Sequence, residues 1–431
     1  MKPDLIVVSS YPRVGILRGR DTVGVADYTK QTLTSLSKHL KILVLAEKLK
    51  DEPIIGTENN IQIVRCWQRN HPLSLLSIFF HIVKSPTKKV LFEFEMAMLG
   101  DPWMNFFFVK LLLLLKIFRK KVSVVLHQVV LDFNEISGHI GQKKNSQVNI
   151  LLNLFAKIFY RLVILLSYKI IVFEQFLKDR LDKNNSKITV IPHGVETINS
   201  KSETINFSAR NERVTRSGQP EGSEHRKNLF TGQKNFTITI FGYLAWYKGT
   251  DWIVDTFASY FDHHPKSKLK LIVAGGPNPN HLDKPYYQEY LSKINSAASK
   301  HPRHIQITGF VDEKDIGNYY QQSDLILLPY RVGMSSSGPL SIAFTHHKPF
   351  FVSDKIAPIL YTSDISNIFI SHTLSPKIAS FSLNSKKLLS KIIRLEKDIK
   401  LQKELGLISQ EISSARSWSN ISKQYLTCLN L

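Results

Sequence analysis

Lys248 stands one residue before Gly249 in the stretch FGYLAWYKGTDWIVDTF, residues 241–257. Ahead of it is an apolar run that reads as a strand, closed tightly by Gly242, and after it comes an amphipathic helical pattern. An ammonium just before a helix start can clamp a phosphate, because its point charge and the helix dipole act on the same oxygens. A second stretch, PYRVGMSSSGPLSIAFTHHKPFFVSD at 329–354, has the same anatomy. A strand ends at Pro329, the small residues Ser335, Ser336, Ser337 and Gly338 make a turn, and Pro339 opens a helix. Exposed N–H groups and hydroxyls at such a start hold anions. With Lys248 approaching from the neighbouring loop, the anion this pair fits is a diphosphate.

Two loops in the first half add candidates. After the first apolar run, YPRVGILRGRDTVGVADYTKQTL places Gly24 just ahead of a helix expected near Asp27, with Arg13, Arg18 and Arg20 in the same loop. Backbone N–H groups at Gly24 can face an anion there, although the same arginines also suit a solvated surface loop. VVLHQVV puts His127 at a strand's carboxyl end, where imidazole can hydrogen-bond a sugar hydroxyl or a leaving oxygen. The plainer role for a single histidine is structural.

These loops need rigid elements to hold them, and the sequence supplies a regular series. LIVVSS, LKILVLA, IQIVRC, KVLFEFE, KVSVVLHQ, YKIIVFE and KITVIPHG read as strands without polar alternation, several of them separated by helical patterns. Such strands belong to a parallel sheet covered on both faces. The polar stretch 198–235 breaks the rhythm as a linker or long exposed loop. The alternation resumes with FTITIFGYL, LKLIVAGG, IQITGFV, SDLILLPY and KPFFVSD. The expected organisation is an α/β first domain at 1–197, a second at 236–400, and helices at 401–431 that pack back toward the first. Two open sheets facing each other bind ligands at the carboxyl ends of their strands.

The bulk properties agree with a globular chain of two domains: 431 residues, 43% hydrophobic and 21% charged. Two cysteines, Cys66 and Cys428, make no disulfide framework, and no Cys/His spacing points to zinc, so a reduced cytoplasmic setting is expected without a metal. MKPDLIVVSSYP reads as a buried strand rather than a signal peptide. Pro102–Phe118, interrupted by Lys110 and Lys116, reads as a buried helix rather than a membrane span. A net charge of +22 favours an anionic ligand or surface. Nucleic acid is a poor candidate, because no aromatic–basic motif of a binding module is present. Basic residues beside apolar helices, as in KIFRKK and KIFYRL, make an anionic membrane face a candidate partner.

In their order and spacing, these motifs resemble the GT-B glycosyltransferases, specifically the large retaining group known as family 4, over nearly the whole chain. GVADYTKQTL resembles the family's first glycine loop, IPHGVE its interdomain strand end, and FGYLAWYKGTDWIVDTF with LIVAGG the start of its donor domain. ITGFVDEKDIGNYYQQSDLILLPY, followed by His347-Lys348-Pro349 and FFVSD, resembles its most characteristic block, and SWSNISKQYL its closing helix. The resemblance implies two Rossmann-like, doubly wound parallel-sheet domains facing a cleft. It implies a nucleotide sugar as donor, a glycan or lipid-linked acceptor, transfer with retention in polysaccharide or glycoconjugate synthesis, and no metal or other cofactor. Gly24 and Lys248 would contact the diphosphate together with Ser337 and Gly338, His127 the donor sugar, and Gly309 and Val311 would line the loop past the base.

The chain departs from the family pattern at three positions. Tyr243 stands where an arginine is usual, and Met334 and Ile342 stand where two glutamates are usual. The first glutamate usually contacts the donor sugar and the second the ribose, so hydroxyls of Ser335, Ser337 or Ser341 are the candidates to replace them. An active transferase is the expected reading. The alternatives are a sugar-nucleotide epimerase or phosphorylase of the same fold, or a non-catalytic partner that kept the fold.

Overall fold

A computed structural model describes residues 2–16, 24–198 and 235–431. Arg18, Arg20 and nearly all of the stretch 198–235 lie outside these residues.

The first domain runs β1 (Leu5–Ser9), α1 (Gly24–Leu36), β2 (Ile42–Glu47), β3 (Ile55–Glu58), β4 (Ile61–Trp67), α2 (Pro72–Lys84), β5 (Lys89–Phe94), α3 (Met104–Ile117), β6 (Lys121–Leu126), α4 (Gln147–Leu166), β7 (Lys169–Val172), α5 (Gln175–Asp182) and β8 (Ile188–Val190). Its eight strands are ordered β3-β4-β2-β1-β5-β6-β7-β8. All neighbours pair in parallel except β3 and β4, which form an antiparallel edge. Central strands are buried along their length, as in β1, because helices cover both faces. The helices α2, α3 and α4 lie over one face, while α1 and a C-terminal helix lie over the other.

The second domain runs β9 (Phe236–Phe241), α6 (Thr250–His263), β10 (Leu269–Ala274), α7 (Pro285–Ser299), β11 (Ile305–Ile307), α8 (Glu313–Gln321), β12 (Leu325–Leu328), α9 (Gly338–Thr345), β13 (Phe350–Ser353), α10 (Ser363–Ser371), β14 (Ser380–Phe381) and α11 (Ser385–Lys397). Its six strands are ordered β11-β10-β9-β12-β13-β14 and all pair in parallel. The strand order reverses between β9 and β12, so the loops leaving these two strands border the crevice of the sheet. Lys248 is on the first loop, and the serine turn is on the second.

Two further helices, α12 (Ile399–Ala415) and α13 (Trp418–Leu429), close the chain. The first packs on α9 and α10 of the second domain, the other on α1 of the first. Between them sits Arg416, buried, with Nε 2.7 Å from Asp364 of the second domain and Nη1 3.6 Å from Glu174 of the first. Burial pushes the Glu174 carboxyl up to about 7, and Arg416 partly offsets this. The Tyr425 and Tyr28 hydroxyls meet at 2.8 Å and fasten α13 to α1.

Pro102–Phe118 departs from the buried helix expected of it. Phe108, Leu111, Leu112 and Leu115 of α3 are buried, but Phe106, Leu113, Leu114 and Ile117 are exposed. The helix forms an outer layer and has only one side against the sheet, so its apolar excess faces outward.

Candidate functional site

The cleft between the domains holds a cavity of about 530 Å³. That is the size of a small-ligand site, for which roughly 300–1,000 Å³ is usual. Gly24, Tyr28 and His193 line it from the first domain, and Gly242, Lys248, Gly338, Ser341 and Ile342 from the second.

Lys248 closes a short 3₁₀ turn, Trp246–Lys248, and Gly249 at φ 73° lets the chain enter α6. Its ammonium lies directly above Gly242, where an added Cβ would stand 2.4 Å from Nζ. Gly242 has φ 110°, so glycine is needed there both for the backbone and for the space that Lys248 fills. The side chain is buried and makes no ion pair among the described residues. Burial therefore pulls its pKa down to about 8. A buried ammonium on a cleft wall, without an ion pair among the described residues, is a candidate to meet an anion from outside the chain.

Arg331, on the loop after β12, braces this turn. It makes paired bonds to Asp251 at 2.7 and 2.9 Å, donates to the Trp246 carbonyl at 2.9 Å, and lies over the Trp246 ring. The two loops at the strand-order reversal are thus one rigid piece. Arg331 is a positioning residue that sequence reasoning missed, because its partner lies 80 positions away.

The serine turn divides its residues between two tasks. Ser337 is the N-cap of α9, accepting from the Leu340 N–H at 3.3 Å, with the Tyr330 hydroxyl at 3.2 Å. Ser335 bridges to Gln128 of the first domain, and neither Ser335 nor Ser337 lines the cavity. Gly338 and Ser341 do line it, and a Cβ on Gly338 would meet nothing within 4 Å. Ser337→Ala is therefore expected to lower stability by about 1 kcal/mol, the worth of an N-cap, while nucleotide affinity stays unchanged. Denaturant midpoints and a binding titration on the same variant check this.

The two positions without glutamate also differ. Met334 is buried in an apolar contact between the domains with Val130, Ile136 and Val332, and its carbonyl accepts from the Val129 N–H at 2.8 Å. A carboxylate there would sit in an apolar contact. Ile342, in contrast, lines the cavity.

His127 does not line the cavity. Its Nε2 is 2.8 Å from Oε2 of the fully buried Glu93, and its ring lies edge-on to Tyr28 at 5.0 Å, so Tyr28 stands nearer the cleft than it does. His193 reaches the cavity instead. Its Nδ1 is 2.7 Å from the Gly194 carbonyl and 3.2 Å from Ser341 Oγ, a contact that crosses the cleft. A carbonyl only accepts, so Nδ1 carries a proton in this geometry. The signal for it was IPHGVE, a histidine just beyond a strand end.

Along the far wall, Val311 and Phe310 line the cavity while Gly309, at φ 73°, turns the chain beside them. Tyr243 and Phe310 pair across this rim with ring centroids 6.4 Å apart. Asp312, Glu313, Thr345 and His346 add polar groups near Ile342's end of α9. Among the described residues no group of three or more His, Cys, Asp or Glu is placed to hold a metal ion.

Residues 235–367, within the second domain, match the family model of Glycosyl transferases group 1. Comparison with curated protein sequences finds no match. Solved structures resemble the whole chain at low identity. Sucrose-phosphate synthase from Thermosynechococcus elongatus has a TM-score of 0.67 at 12% identity, covering 99% of this chain and 98% of that one. The α,α-trehalose-phosphate synthase (UDP-forming) from Burkholderia vietnamiensis has a TM-score of 0.65 at 10%, covering 100% and 97%. Anabaena HepE in complex with UDP has a TM-score of 0.60 at 13%, covering 100% of both chains. The fold is GT-B, with two Rossmann-like domains about a cleft. The match to the group 1 glycosyl transferase model falls on the second of these domains.

Proposed function

We propose that the chain transfers a sugar, a hexose by class, from a nucleotide donor to a glycan or lipid-linked acceptor. The observation that carries this reading is the buried ammonium of Lys248, without an ion pair among the described residues, beside the open N-terminus of α9 in the cleft. The group 1 match lies on the domain that presents both groups, and one of the similar structures holds UDP. The proposed diphosphate contacts are Lys248, Gly338 and, from the opposite wall, Gly24. Ser341 and His193 are the proposed hydroxyl partners of the sugar, and the wall of Phe310 and Val311 faces the base. Charge neutralisation by Lys248 and the α9 dipole leaves no role for a metal. His127 acts through Tyr28 rather than by direct contact. We place the reaction at the cytoplasmic side, in polysaccharide or glycoconjugate synthesis with retention.

A second reading has a specific observation behind it. With Met334 spent on the domain contact and Ile342 in the cavity, the chain is also a candidate for nucleotide binding without transfer. Melting the protein with UDP, GDP and ADP, then incubating it with the corresponding nucleotide sugars, separates the two. At a hundred times Kd a nucleotide stabilises the fold by about 2.7 kcal/mol, a shift of several degrees. Binding with sugar release supports transfer, and binding without it supports the non-catalytic reading. No shift with any nucleotide would remove both.

A further inference from the structure

More than half of the large hydrophobic side chains exposed among the described residues lie on α2, α3, α4 and their ends. They do not scatter as single surface residues do. On α4, Leu151, Leu154, Ile158, Leu162 and Leu165 follow a spacing of three and four, which sets them in one stripe along the outer side. The inner side of the same helix, with Ala156, Phe159, Tyr160 and Val163, is buried against the sheet. The helix is therefore apolar on two sides, and only one of them is used by the fold.

The charges carried by these three helices have a single sign. Between their ends α2, α3 and α4 contain no aspartate or glutamate. Lys84, Lys110, Lys116, Lys157 and Arg161 are all exposed on them. Lys110 lies 4.3 Å from the Phe106 ring, so it borders the apolar patch. We propose that this three-helix face docks the protein on an anionic lipid bilayer. Apolar side chains enter the headgroup boundary while the lysines and arginine meet lipid phosphates, the arrangement of an interfacial helix. Exposed Trp103, at the start of α3, suits the same boundary.

The helix α4 is long and apolar enough to cross a membrane, but the fold gives it another place. Its two flanking strands, β6 and β7, are parallel neighbours in one sheet, so both ends of α4 return to the same domain. It lies on the bilayer rather than through it.

The topology also aims the face. Each of the three helices follows a strand of the parallel sheet, β4, β5 or β6, and so starts at the sheet edge that borders the cleft. A docked bilayer would lie beside the mouth of the cleft, within reach of an acceptor tethered to lipid. Only that last consequence rests on the proposed transfer reaction.

The test is flotation of the full chain with vesicles of phosphatidylcholine alone and of phosphatidylcholine with phosphatidylglycerol in equal parts. Binding to the anionic vesicles is expected to exceed binding to the neutral ones by at least about tenfold, to weaken in high salt and to be released by alkaline carbonate. Leu154→Glu with Ile158→Glu, both at exposed positions, should lower it at least about tenfold with the circular dichroism spectrum and melting curve unchanged. Lys157→Glu with Arg161→Glu should abolish the preference for anionic lipid. Flotation of the Leu154/Ile158 variant at the wild-type level would overturn the proposal. So would a wild-type protein that ignores vesicles but is a dimer made monomeric by the same variant, which would give the face to a second copy. None of these readouts uses nucleotide binding, so failure of the transfer reading leaves them intact.

Discussion

Lys248→Met is expected to give a ligand-free protein that is more stable than wild type and holds a nucleotide diphosphate far more weakly. The two effects have one cause. In the folded chain burial lowers the lysine's pKa from 10.5 to about 8. The charged form is thus disfavoured by folding, by about 3 kcal/mol at 1.36 kcal/mol per pKa unit. The sign follows from proton binding. Between pH 8 and 10.5 the unfolded chain holds a proton on this lysine that the folded chain has released, so wild-type stability rises with pH across that window. Below pH 8 the cost is present in full, and above 10.5 it has gone. Methionine has similar length and no charge, so at pH 7 the variant should gain up to about 3 kcal/mol, and the gain should fade above pH 8. Nucleotide affinity should fall about a hundredfold, as expected for a lost charge-assisted contact. In wild type the bound phosphate favours the ammonium, so affinity should decline as pH rises through 8, by no more than tenfold per unit. The variant should lack this decline. Denaturant melts at pH 7 and 10 with calorimetric titration of UDP measure all of it. A variant less stable than wild type with unchanged affinity would mean that Lys248 is a packing residue.

What the sequence made legible depended on how local each cause was. The central strands could be read because burial on both faces leaves continuous apolar runs, as in Leu5–Ser9. The edge strand β3 could not: it is four residues long, antiparallel, and none of its residues is buried. Lys248 was readable because a glycine-closed strand, a lysine and a helix start lie within ten residues of one another. Arg331 was not, since it works through Asp251 far along the chain, and for His193 the strand-end position in IPHGVE was legible while its partner Ser341 was not. The serine turn was read as a set of equivalent hydroxyls. Folding gives them different tasks, because helix capping claims Ser337 and the domain contact claims Ser335. The loss of the first glutamate was visible in sequence, but its physical setting, an apolar contact reaching Val130 and Ile136, lies in the other domain. Composition showed that α4 is apolar without showing that only half of that surface enters the core.

Gly338→Val is expected to leave the fold unchanged and abolish nucleotide binding, which makes it the sharpest probe of where the ligand lies. Most glycines around the cleft cannot serve this purpose. Gly242 has a positive φ, and a Cβ there would strike the Lys248 ammonium, so its replacement damages the clamp and the backbone together. Gly275 would meet the Gly242 carbonyl oxygen at 2.0 Å. Gly338 differs on both counts: its φ lies outside the left-handed region, and an added Cβ meets nothing within 4 Å. It is the first residue of α9, where valine is no worse a helix former than glycine. Pro339 follows directly, and its ring disfavours a Cβ-bearing residue in helical conformation ahead of it, so the melting curve should fall by about 1–2 kcal/mol with the fold kept. The valine side chain instead extends into the cavity beside Pro339, Ser341 and Ile342, over the N–H groups that would face the phosphates. An anion that needs contact distance to those groups can then no longer approach. The expected loss is at least about a hundredfold in UDP affinity, comparable to removing a charge-assisted hydrogen bond and its neighbours. Calorimetric titration of UDP, with circular dichroism and melting as folding controls, reads it directly. Wild-type affinity in a folded Gly338→Val protein would place the nucleotide elsewhere and separate the α9 terminus from the function of the cleft.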